Sequence, residues 1–85
     1  MSRKVNDLLK KYEDKLDTCL WLYSKGMNDW NEFISDVYDR EKEFDGLVTN
    51  MFHYDLLSEK DFRELMKLVR QTKDKYVDKA LEIAC

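Results

Sequence analysis

Residues 29–53 read DWNEFISDVYDREKEFDGLVTNMFH, and their spacing decides the fold. At about 100° per residue, Trp30, Phe33, Ile34, Val37, Phe44, Val48, Met51 and Phe52 fall on one stripe. That is the pattern of a helix with one dry face. The phase holds across Gly46, which lands on the wet side. The spacing therefore predicts one long helix from about Asp29 to His53, although a glycine inside a helix costs roughly 1 kcal/mol relative to alanine. The competing reading breaks the element at Gly46 and makes a short fourth helix. Asn28 or Asp29 supplies the cap, because a short acceptor side chain satisfies the free amides of a first turn.

The same wheel orders the flanking segments. Val5, Leu8, Leu9, Tyr12, Leu16, Cys19, Leu20 and Tyr23 share a face over about residues 3–24, and Gly26 suits the left-handed residue that ends a helix. Ser58-Glu59-Lys60-Asp61 resembles a capping box with Asp as its fourth residue, and Leu57 and Phe62 hold the positions of a hydrophobic staple. Phe62, Leu65, Met66, Val69, Tyr76, Val77, Ala80, Ile83 and Ala84 then form a third stripe over about residues 59–84. The chain has no proline and only two glycines, too few for a turn-rich β protein.

With 85 residues, 44% of them hydrophobic, residues 1–85 make one domain with a small core. Short connections set neighbouring helices antiparallel, so the expected fold is an all-α, up-down-up three-helix bundle. Folding at the second turn opposes positions whose numbers sum to about 113, and folding at the first turn those near 53. Val48 then meets Leu65, Phe44 meets Val69, Leu20 meets Phe33 and Leu16 meets Val37. One layer is exceptional: Glu41 and Lys73 lie inside their stripes and oppose each other, with Tyr12 level on the first helix. This predicts a polar layer of Tyr12, Glu41 and Lys73 within or at the edge of the core. Its structural reading is a device that fixes register; its functional reading is a proton-transfer or ligand site.

Motifs for catalysis are missing from the sequence. His53 is the single histidine, and it falls near a helix end where a surface position is the simple reading. No Cys-x-x-Cys, His-x-x-x-His or Gly-rich phosphate loop occurs, so no enzyme activity, metal or cofactor is expected. Cys19 and Cys85 are far apart in sequence and read as reduced thiols of a cytoplasmic protein. No apolar run is long enough to cross a bilayer, and the first residues lead into a charged helix instead of a signal-peptide core.

Charge is distributed unevenly. Residues 1–27 carry net +2, residues 28–55 net −6 and residues 56–85 net +1. Within the acidic middle helix Glu32, Asp36, Asp39 and Glu43 recur at spacings of four, three and four, one outward row. Carboxylates four apart repel, and few bases are interleaved in the sequence to relieve them. Such a row suits a protein with a basic surface, including one shaped for a nucleic-acid backbone. Direct nucleic-acid binding is not expected, because the seven bases of the third helix alternate with six acids. Trp21 falls almost opposite the first stripe, either as an interface anchor or tucked against the loop at Gly26. Leu47, Leu56, Leu68 and Leu81 also lie off the stripes, and self-association into a homo-oligomer is one use of such a surface.

Leu56-Leu57-Ser58-Glu59-Lys60-Asp61-Phe62-Arg63-Glu64-Leu65 resembles the helix connection of short proteins carried by phages and mobile elements of Gram-positive bacteria. The resemblance covers only the second turn and the start of the third helix. It implies a compact accessory protein, an inhibitor of a host defence enzyme in the anti-CRISPR manner, and transfers no functional residues. The leading expectation is a non-enzymatic protein-binding module using the acidic row and Trp21. The alternatives are an oligomeric protein that sequesters a small ligand such as a nucleotide, and a bundle like bacteriocin-immunity proteins.

Overall fold

The computed structural model describes residues 2–84. Three helices, α1 Arg3–Ser24, α2 Trp30–His53 and α3 Glu59–Ala84, pack pairwise into a rod of 42 × 20 × 15 Å. The length follows from about 1.5 Å of rise per residue in helices of this size.

Each helix starts where a short polar side chain meets a free amide. Ser2 Oγ accepts from the Val5 amide at 3.1 Å, and Ser58 Oγ accepts from the Asp61 amide at 3.1 Å. Asp29 and Glu32 form a complete capping box, each carboxylate accepting from the other's amide at 2.8 and 3.2 Å. Asp29 is thus the cap of α2 and Trp30 its first residue. The two exits are alike. The Met27 amide donates to the Leu22 carbonyl and the Leu56 amide to the Met51 carbonyl, the six-to-one bond of a Schellman turn. The left-handed residue is Gly26 (φ 74°) in the first turn but Asp55 (φ 58°) in the second.

α2 is continuous through Gly46, as the unbroken stripe requires. Phe44 and Val48, buried on either side of that glycine, hold both halves of the helix against the same core. Fourteen residues form one buried cluster; Val5, Tyr12, Leu16, Phe33, Val48, Leu65 and Ala80 have no exposed surface at all. Antiparallel register is visible in single contacts: Phe52 stacks on Phe62 with centroids 4.6 Å apart, and Tyr12 meets Phe44 at 5.0 Å.

The sequence-based stripes need two corrections. Ile83 and Ala84, expected in the third stripe, are exposed, because the last turn of α3 lies at the open end of the rod. Leu68, expected off the stripe, packs half-buried against the core. Leu47, Leu56 and Leu81 are exposed, as their phase implied.

Candidate functional site

The acidic row of α2 lies along its outer side, turned toward α1, and its four carboxylates differ in how far the protein already uses them. Glu32 is exposed but committed in part to the capping box. Asp36 is half-buried and accepts from the Asn28 side-chain amide at 3.0 Å. Glu43 receives Arg40 at 3.4 Å from its own helix and Lys15 at 4.0 Å from α1. Relief of the crowded charge therefore comes partly across the helix interface, which intra-helix spacing does not reveal. Asp39 is exposed and has no ion pair among the described residues. It is the carboxylate of the row that no hydrogen bond or ion pair among the described residues holds.

Beside the row, α1 and α2 enclose a groove of about 260 Å³ lined by Lys15, Thr18, Cys19, Leu22, Asp36 and Arg40. Burial pushes the Cys19 thiol above the ordinary thiol range, and the Asp36 charge adds to that. A thiol held protonated in this way is a poor nucleophile. Arg40 Nε is buried there without a hydrogen-bond partner. Cys85, expected as a reduced thiol, lies outside the described residues.

Trp21 stays half exposed, at 52%, on the side of α1 away from the core. α1 runs on to Ser24, so the ring is not folded under the loop. The aromatic cluster at this end of the rod consists instead of Tyr23, Trp30 and Phe33, with centroids 5.2–5.8 Å apart.

The polar layer separates into two parts. Lys73 Nζ lies 3.3 Å from Glu41 Oε2 at the edge of the core, with side chains 22% and 16% exposed. The contact is ionic without hydrogen-bond alignment, so Glu41 Oε2 has no hydrogen-bond partner. Tyr12 is wholly buried, and its hydroxyl is also unpartnered. Burial, followed by the Glu41 charge, pushes that hydroxyl far above the ordinary phenol range. Neither Tyr12 nor Glu41 lines any of the grooves described here.

Two members of this polar network have no counterpart in the sequence reading. Asp45, one turn after Glu41, is half-buried; desolvation and Glu41 raise its pKa, while Arg70 and Lys73 lower it. On the other side of the core the Tyr76 hydroxyl donates to Asp17 and ties α3 to α1. Matching the parallel register of the first and third helices would have brought that pair together.

Among the described residues no group of three or more His, Cys, Asp and Glu side chains is placed to hold a metal ion. Among the described residues no helix is long and apolar enough to cross a membrane. No protein-family model, curated protein or solved structure matches the chain.

Proposed function

We propose that the protein is a non-enzymatic binding module whose acidic α2 face meets a basic surface on a partner protein. The observation that carries this reading is Asp39, an exposed carboxylate in a four-acid row with no ion pair among the described residues. Carboxylates crowded on one face raise each other's energy, and an incoming cationic surface relieves that repulsion. A rigid helix offers them at fixed spacing, so little order is lost on docking.

An inhibitor of a host defence or nucleic-acid-handling enzyme would use such a row in the place of phosphates. This is also the direction in which the turn sequence around Ser58 points.

Affinity capture from host lysate, with proteins quantified by mass spectrometry, tests the reading. The wild type should retain a basic protein that Asp36→Lys/Asp39→Lys does not, and raised salt should weaken that capture. Equal retention by both proteins removes the acidic row from the functional account.

A further inference from the structure

The outward side of α3 changes sign halfway along its length. Arg63, Lys67 and Arg70 are followed by Asp74, Asp78 and Glu82 at helical spacings, so the six share about a third of the helix circumference. All six are exposed, and among the described residues only Arg63 has an ion pair, to Glu59 at 2.7 Å. Glu64 stands among the bases in sequence but lies on the flank of the row, the flank that Lys75 holds in the acidic half.

This order does not serve the helix that carries it. Base before acid at one turn's spacing is the weaker sense of an intrahelical pair, and Arg70 and Asp74 form none. A helix dipole favours bases in the last turn, where α3 has none and carries Glu82 instead. Within the chain the charge of Arg70 reaches Asp45 of α2, and Lys73 is turned to Glu41.

A row that is basic in one half and acidic in the other is complementary to itself reversed. We propose that α3 pairs with α3 of a second copy of the chain, antiparallel about a two-fold axis level with Gln71 and Thr72. Each residue then contacts a different residue of the other copy, and the symmetry repeats every pair. Lys67 and Arg70 come level with Asp74 of the second copy, and Arg63 with Asp78, each to within about 3 Å along the axis. Glu64 meets both Asp78 and Lys75 on the flank, so its repulsion and attraction offset each other.

Apolar contact follows the same register. Leu81, 47% exposed, comes level with Phe62 of the second copy, at one end of a groove of about 440 Å³ whose apolar lining is Phe62 and Met66. Asp74 lines the same groove beside Lys67 and Arg70, which fits a partner bearing both signs. A parallel pairing sets bases on bases and acids on acids, so the row selects the antiparallel one. The acidic row of α2, turned toward α1, stays uncovered in both copies, and the dimer presents it twice.

Sedimentation equilibrium over a concentration series tests the assignment. The wild type should dimerise, and added salt should weaken the dimer. Lys67→Glu/Arg70→Glu and Asp74→Lys/Asp78→Lys each make the row single-signed and should associate at least about ten-fold more weakly. Mixing those two variants should restore association as a heterodimer. Asp36→Lys/Asp39→Lys should leave the dimer unchanged, which separates this surface from the acidic face of α2. If circular dichroism shows a reversal variant unfolded, Lys67→Ala/Arg70→Ala and Asp74→Ala/Asp78→Ala should still weaken the dimer. Register is read from disulfides: in a Cys85→Ser background Gln71→Cys should cross-link to itself on oxidation, and Glu82→Cys, far from the axis, should not. A wild type that stays monomeric throughout overturns the proposal. So does a dimer that both reversals leave intact, a mixture that stays monomeric, or equal cross-linking from Glu82→Cys.

Discussion

Removing Lys73 should destabilise the protein chiefly through what it leaves behind. Charges 3.3 Å apart attract by about 5 kcal/mol at an effective dielectric of about 20, before any desolvation is counted. Both side chains are mostly buried, at 22% and 16% exposed, so desolvating them and ordering the lysine offset much of that attraction. Lys73→Met leaves the Glu41 carboxylate facing the core edge with no counter-charge and Asp45 one turn away. The single variant should therefore lose about 1–3 kcal/mol. Glu41→Leu/Lys73→Met removes both charges and should come within about 1 kcal/mol of the wild type. Urea denaturation of the wild type, both single variants and the double variant measures the coupling directly. A Lys73→Met protein as stable as the wild type, or a coupling near zero, would refute the view that this layer depends on the pair.

The two glycines should respond in opposite directions. Gly46→Ala gains about 1 kcal/mol because the site is helical and open, and for a chain of this size that is about 4–8 °C in Tm. Gly26→Ala loses about 1 kcal/mol, because φ is 74° there and a Cβ strains that backbone. Thermal melts of both variants check the contrast. Asp55→Gly should stabilise by about 0.5 kcal/mol, since the left-handed φ of 58° is easier without a side chain. Asp45 has a raised pKa in the folded protein, so folding favours its protonated form and its penalty grows as pH rises through the unfolded carboxylate value. Asp45→Asn should accordingly raise Tm at neutral pH, with the gain fading below about pH 4.

The helices were legible because their apolar residues keep phase for twenty residues or more and because two of their caps, Asp29 and Ser58, can be read from the sequence; the Ser2 cap of α1 was not anticipated. Register was legible for the same reason, since short turns leave little freedom once the stripes face one another. The Glu41–Lys73 pair followed from that register, which brings two charged residues of different stripes to one level. Tyr12 did not join them by hydrogen bond, because a position in the stripe says nothing about where the far end of a long side chain points. Asp55 was not read as a left-handed residue, because Asp adopts that conformation far less often than glycine and gives only a weak signal of it.

The functional surfaces were harder to read. Lys15 reaches Glu43 and Asn28 reaches Asp36 across a helix interface and a turn, distances that a single-helix wheel does not contain.

Photo-crosslinking from Ser35 tests the central claim most directly, because Ser35 is exposed one turn before Asp39 on α2. With p-benzoylphenylalanine at that position, illumination in lysate should produce one covalent adduct with a basic protein, and adding Asp39→Lys should abolish it. An adduct that forms equally well with Asp39→Lys, or that appears only from a crosslinker placed beside Trp21, would contradict an acidic docking face on α2.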